Sequence, residues 1–289
     1  MPPAEADDSR ENGAPRARLV CRWASAPLKT APRGRAEMAS QILFGEAAVL
    51  LEEMELPPHS RERGWLRVRL EHDGYEGYAP REAFELMPEA AVTHLVRVPQ
   101  TLLFPEPDIK SAPTQPLYMG ARLRAAGAPV AGKGTNGLFV PLIGGGFVFA
   151  AHVAAAGAPV TDDPVSLAEM LLHAPYLWGG RGVAGIDCSG LVQLALMLAG
   201  FQNVPRDSGP QAKNVGEELP VEWLDEPDRL RRGDLVFWKG HVAMLTDSRT
   251  IIHANAHHMM VVREPLKEAL ARIAAAGSRP VALRRLRRF

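Results

Sequence analysis

Cysteine is scarce in this chain: Cys21 and Cys188 are the only two in 289 residues, too few and too far apart to form a disulfide framework. A reducing compartment is the simpler expectation. An excess of one charge is lacking too, since 33 basic residues balance 33 acidic ones, which removes the electrostatic footprint of a nucleic-acid partner. No run reaches the roughly 18 consecutive apolar residues of a membrane span. The opening "MPPAEADDSRENGAPRAR" has neither the charged n-region nor the apolar h-region of a secretory signal. We therefore expect a soluble cytoplasmic protein with no membrane and no nucleic acid among its partners. The closing "RRLRRF" reads as a solvated basic tail.

The length suits two or three domains, and the texture changes twice along the chain. Up to about Pro88, short apolar pieces alternate with turn residues. "WLRVRL" has the period of a strand, and "HDG" before "YEGY" has the composition of a hairpin turn. From about Ala91 to Gly157 the same texture returns, broken by "PEPD", "KGTNG" and "GGG". After "GAPVTDDP", helical spacing appears in "SLAEMLLHA" and "SGLVQLALMLAG", followed by strand-like "DLVFWKGHVAMLTDSRTIIHANA". Two small β modules followed by a mixed α and β domain account for this order.

"GIDCSGLVQLALML" places Cys188 at the first turn of an apolar helix. There, unpaired backbone N–H groups and the positive end of the helix dipole favour thiolate over thiol, so a pre-ionised sulfur is expected. A nucleophile of this kind needs a base, and the base needs a group to orient it. "GHVAML" offers His241 at the start of a strand, and "IIHANA" offers His253 on the next, with "TDSRT" as the turn between them. Cys21, inside "RLVCRWA", reads as a buried small hydrophobe.

"YLWGGRGVAGIDCSGLVQ", "VPRDSGPQ", "LRRGDLVFWKGHVAML" and "IIHANA", in this order and spacing, resemble the NlpC/P60 cysteine peptidases of bacterial cell-wall metabolism. The likeness covers roughly Val160 to Leu286. It implies an α+β fold with a papain-like NlpC/P60 catalytic domain preceded by two small SH3-like β-barrels. The expected division is a disordered tail over 1–18, barrels over 19–88 and 89–158, and the peptidase domain over 159–289. By the same likeness Cys188 is the nucleophile, His241 the base and His253 its orienter, while Tyr176 lies beside the thiol and helps hold the oxyanion with backbone N–H groups. "SQILFGE" followed by "DGYEGY" resembles the first SH3-like domain of members that cleave γ-D-glutamyl-diamino-acid bonds. That resemblance makes Glu46 the partner of a substrate's free amino terminus. Tyr75 is the aromatic beside it, with Tyr78 as a near alternative.

Asp187, Ser189, Asp207 and Ser208 complete the polar lining implied by the resemblance. A carboxylate next to a thiol raises the thiol's pKa, so Asp187 makes better sense as a substrate anchor than as a catalytic group. Asp207 and Ser208 belong to a binding loop or, at near-equal weight, to a helix cap. Trp178 supplies an apolar wall or ordinary core. The expected substrate is a murein peptide beginning L-Ala-γ-D-Glu-diamino acid, and the residues call for no cofactor and no metal. "GRGVAG" fits a dinucleotide-binding pattern but follows a helical segment rather than a strand, which argues against that use. Two other classes stay open: a zinc hydrolase using His241, His253, His257 and His258, or a murein-binding protein whose catalytic domain is inert or acts as an acyltransferase.

Overall fold

The computed structural model describes residues 10–11, 14–54 and 64–287. In Trp65–Leu70 alternation sets the buried face, with Leu66, Val68 and Leu70 in the core and Arg67 exposed. The strand turns through Asp73, whose side chain accepts the Tyr75 N–H, and Gly74, whose positive φ of 72° suits a residue without Cβ. It then pairs antiparallel with Glu76–Pro80. Among the described residues, seven antiparallel strands between Arg18 and Leu86 form this first sheet, in the order 38–43, 25–29, 76–80, 65–70, 47–54, 18–21, 84–86.

Within the 1–18 segment expected to be a disordered tail, Arg10–Glu11 pairs with Ala14–Pro15, and Arg18 opens a strand. The remainder of that expectation, residues 1–9 and 12–13, lies outside the described residues.

Between His94 and Ala155 the second β region consists of three small sheets rather than one continuous ladder. Isolated bridges, Phe104 to Phe147 and Ala125 to Leu142, link them around a core of Val96, Leu117, Leu123, Val140 and Val148. Pro105, Pro107, Pro113 and Pro116 remove ladder donors here, and consecutive glycines at 144–146 all take positive φ.

The third region is a six-stranded antiparallel sheet in the order 217–219, 280–285, 235–238, 241–245, 250–255, 260–265. Its strands are apolar on both faces because both are covered. Leu235, Phe237, Val242, Met244 and Ile252 pack with the helix Cys188–Leu198, while Val236, Ala243, Leu245 and Ile251 pack with Leu266 and Ala269 of the helix Leu266–Ala275. "GRGVAG" is a small hairpin in which Arg181–Gly182 pairs with Gly185–Ile186. The C-terminal basic run is not wholly a tail. Pro280–Arg285 is an inner strand, and the Arg285 guanidinium donates to both oxygens of buried Asp234 at 2.8 and 2.7 Å. Arg288 and Phe289 lie outside the described residues.

Candidate active site

Cys188 is the first residue of its helix. Asp187 caps that helix, accepting the Gly190 N–H at 2.7 Å on Oδ1 and the Gly179 N–H at 2.8 Å on Oδ2. The Arg206 guanidinium closes on the same carboxylate, with Nη2 to Oδ2 at 2.7 Å and Nη1 to Oδ1 at 3.0 Å. With the Ser189 hydroxyl also donating to Oδ1 at 3.4 Å, five donors occupy Asp187, and it is a cap rather than the substrate anchor expected of it. Ser189 is drawn into the same buried network, its Oγ accepting from Arg206 Nη1 at 3.0 Å, so its side chain serves the cap and not the cleft lining.

The backbone N–H groups of Val242 and Ser189 lie close enough to the sulfur to favour its thiolate form. Val242 follows His241, so the thiol sits at the strand end that carries that histidine. Burial, then the Asp187 charge, push the thiol up to about 11 against these donors and Arg206. This corrects the expectation of a pre-ionised sulfur: the helix start supplies donors, but burial outweighs them. Cys21 is buried likewise, and burial raises its thiol to about 12.

His241 Nε2 lies 2.8 Å from His253 Nδ1. The strands 241–245 and 250–255 are antiparallel with Met244 opposite Ile252, a register that makes the two histidines diagonal neighbours. His253 Nε2 in turn lies 2.6 Å from Glu264 Oε1 on the next strand, where Ile251 stands opposite Glu264. Burial first, then the charges of His253 and Arg272, lower the His241 imidazole to about 3, with Glu264 pulling the other way. Burial thus disfavours the charged form of both the thiol and the imidazole, which suits proton transfer in step with attack. Since Nε2 is engaged by His253, Nδ1 is the nitrogen left for the thiol.

Tyr176 is half-buried, with its backbone bridged to Ile186. Burial, then the charges of Cys188 and Asp187, raise its hydroxyl to about 12, keeping it a hydrogen-bond donor beside the sulfur. Trp178 is 56% exposed, so it is surface and not core. Ser208 is buried at the start of the helix Ser208–Asn214, which packs on strand 241–245.

The first β region meets this site along a polar seam. Tyr75 Oη donates to Asp207 Oδ2 at 3.2 Å, whereas Tyr78 stays within its own sheet opposite Arg67. Asp207 occupies a cap position without making a side-chain cap bond, and its carboxylate is exposed. Glu46 is different. It is 1% exposed and bound bidentately by Arg181, Nη1 to Oε2 at 2.7 Å and Nη2 to Oε1 at 3.0 Å, with the Leu43 N–H donating to Oε2 as well. Burial alone would raise this carboxyl, but Arg181 and His72 hold it down at about 2. It faces a cavity of about 470 Å³ where the three regions meet, which Cys188, His241 and Tyr176 do not line. Already neutralised and turned from the thiol, Glu46 is not free for a substrate ammonium.

Sequence reasoning missed Glu264, Arg181 and Arg206. Glu264 had a usable signal, because "MVVREP" continues the antiparallel order after His253 and puts an acid two positions along on the same face. Arg181 and Arg206 had none: Arg181 meets Glu46 of the first β region, and Arg206 joins Asp187 of its own region to Ser40 of the first, pairings that no local pattern announces. Among the described residues no group of three His, Cys, Asp or Glu side chains could hold a metal ion, and the His257 and His258 rings meet edge to face.

Known proteins share this arrangement. Residues 173–274 match the NlpC/P60 family, and residues 28–84 match the bacterial dipeptidyl-peptidase Sh3 domain. Dipeptidyl-peptidase 6 of Lysinibacillus sphaericus is 29% identical over 248 residues, 80% of this chain and 84% of that protein. Gamma-D-glutamyl-L-lysine dipeptidyl-peptidase of Bacillus cereus is 36% identical over 104 residues, 33% of this chain and 29% of that one. The crystal structure of an NlpC/P60 family protein from Bacillus cereus shares the fold, with a TM-score of 0.72 at 21% identity, covering 93% of this chain and 99% of that chain. With a cysteine at a helix start beside a pair of hydrogen-bonded histidines, the chain is a cysteine peptidase that joins a bacterial dipeptidyl-peptidase Sh3 domain to an NlpC/P60 family domain.

Proposed function

We propose that this peptidase hydrolyses the γ-D-glutamyl-L-diamino acid bond of murein peptides that carry a free N-terminal L-Ala. The observation that carries the reading is the seam contact between Tyr75 and Asp207, which holds an exposed carboxylate where the first β region meets the catalytic one. An ammonium there gains a charge-assisted bond, and an acylated amine meets an unpaired acid instead. Asp207 takes the part that the resemblance gave to Glu46. The name of the Bacillus cereus relative, a gamma-D-glutamyl-L-lysine dipeptidyl-peptidase, supports the same bond, and that of the Lysinibacillus relative supports dipeptidyl-peptidase activity.

In the proposed reaction the Cys188 sulfur attacks the γ-carbonyl of D-Glu while its proton passes to Nδ1 of His241. Charge on the carbonyl oxygen is met by the Tyr176 hydroxyl and backbone N–H groups at the helix start. His241 returns the proton to the departing amine, and water, activated by the same nitrogen, hydrolyses the thioester. A free L-Ala terminus exists only after the peptide has left its sugar, so the proposed setting is recycling of released peptides in the cytoplasm. Mass spectrometry of L-Ala-γ-D-Glu-diaminopimelate and its N-acetyl form after incubation with the enzyme tests the reading. The expected result is release of L-Ala-D-Glu from the free peptide alone, and equal cleavage of both forms removes the amine from recognition.

A further inference from the structure

The polar row in the catalytic sheet does not stop at the second histidine. His253 is fully buried, and beyond it lies Glu264, whose side chain is only 12% exposed. Arg272, from the helix that follows Glu264's strand, donates to Glu264 Oε1, the oxygen that also meets His253. Burial pushes the Glu264 carboxyl up, but the His253 hydrogen bond and the Arg272 charge hold it below the ordinary carboxylate range. An ionised carboxylate can only accept. His253 must therefore carry its proton on Nε2, and as a neutral ring it presents a bare Nδ1 to His241. His241 then carries its own proton on Nε2 and keeps a lone pair on Nδ1.

A competing donor makes this assignment consequential. The Asn255 amide nitrogen lies 2.9 Å from the same His253 Nε2, and Asn255 Oδ1 is held by the His258 N–H at 2.8 Å. Without an acceptor at position 264, Asn255 donates to His253 Nε2, the His253 proton moves to Nδ1 and points at His241 Nε2, and the His241 proton is driven to Nδ1. That nitrogen could then no longer take a proton from the thiol.

We propose that Glu264, anchored by Arg272, is a positioning residue of the active site: its carboxylate fixes the tautomer of His253 and, through it, that of His241. The inference rests on reading Cys188, His241 and His253 as the reacting set, and it adds a fourth and fifth side chain to that set at one and two removes. Neither Glu264 nor Arg272 touches the substrate.

Long-range ¹H–¹⁵N spectra of the histidine rings read the tautomers directly and need no turnover, so failure here is distinguishable from failure of the peptidase reading. In the wild type both His241 and His253 are expected as Nε2–H tautomers. In Glu264→Leu both should convert to Nδ1–H, with kcat falling by roughly 10²-fold or more and KM within about threefold of the wild type, the pattern of a lost transition-state interaction. Glu264→Gln keeps an oxygen held by Arg272, so the tautomers should persist and kcat should fall by only about tenfold through loss of the charge. Should Glu264→Leu not fold, the wild-type and Glu264→Gln spectra decide. Nε2–H on His241 in both, with the reduced kcat of Glu264→Gln, supports the proposal. A Nδ1–H tautomer of His241 in the wild type, unchanged tautomers in Glu264→Leu, or full kcat in Glu264→Gln overturns it.

Discussion

In the reaction centre the polar groups are near neighbours in sequence, with His241 and His253 separated by 12 positions and His253 and Glu264 by 11. Along the seam with the first β region the partners stand 120 to 166 positions apart, from Gln193 with Asp73 to Arg206 with Ser40. Consecutive strands of one sheet assemble the first set, so pairing register alone brings the rings together. Docking of separate regions assembles the second. The electrostatics differ in the same way. Burial disfavours charge on Cys188 and His241, whereas Glu46 on the seam is a buried carboxylate closed by the Arg181 guanidinium.

The comparison is broken hardest at the sulfur. Cys188→Ala should lower kcat by about 10⁴-fold or more while the circular dichroism spectrum and thermal midpoint stay near the wild type; retained turnover places the chemistry elsewhere. Arg181→Met strikes the seam instead. It leaves Glu46 buried without its guanidinium partner, at a cost of about 3–5 kcal/mol, read from the urea midpoint. The pH dependence of that loss gives its sign. In the wild type Glu46 is held at about 2 against an ordinary 4.5, so its contribution is present above 4.5 and is lost as pH falls through 2. In the variant burial pushes the same carboxyl up, the folded state binds a proton that the unfolded chain releases, and stability should fall as pH rises from about 5 to 7. A variant whose midpoint is unchanged at neutral pH shows that the pair is solvated.

Asp207→Asn tests the recognising end of the seam. KM for the free-amine peptide should rise by about tenfold, equivalent to about 1.4 kcal/mol, with little change for the N-acetyl peptide; identical KM values detach Asp207 from the substrate. The mildest test concerns protonation. With Cys188 raised to about 11, alkylation of the empty enzyme by iodoacetamide should keep accelerating beyond about pH 9, because the thiolate fraction is still growing. A rate that levels off near neutrality identifies a thiolate–imidazolium pair at rest.

The same contrast explains what could be read from the sequence. The catalytic sheet carries a helix-start cysteine, two histidines on adjacent strands and a turn of the right length, all local signals, and the structure brings these groups to one strand end. Tyr75, expected beside Glu46, bonds to Asp207 of the catalytic region, a residue whose two sequence readings were evenly weighted. The buried acids were less legible. Glu46 and Asp187 have the composition of ligands, and only the positions of Arg181 and Arg206 reveal them as structural, because no periodicity reports which guanidinium will close on a given carboxylate. The ionisation of Cys188 was misjudged for a related reason. Its backbone donors follow from helix geometry, but its burial depends on how the strand at Val242 and the surrounding core close over it.

Arg206 links the two regions through a single side chain. Its Nη atoms grip the cap of the nucleophile's helix, and its Nε donates to Ser40 Oγ at 3.0 Å in the first β region. Chimeras that graft another protein's SH3-like module onto this peptidase would therefore have to reproduce a hydroxyl at that spot. A transplant that merely fits the outline would leave one guanidinium nitrogen dry and unanswered directly behind the reactive sulfur.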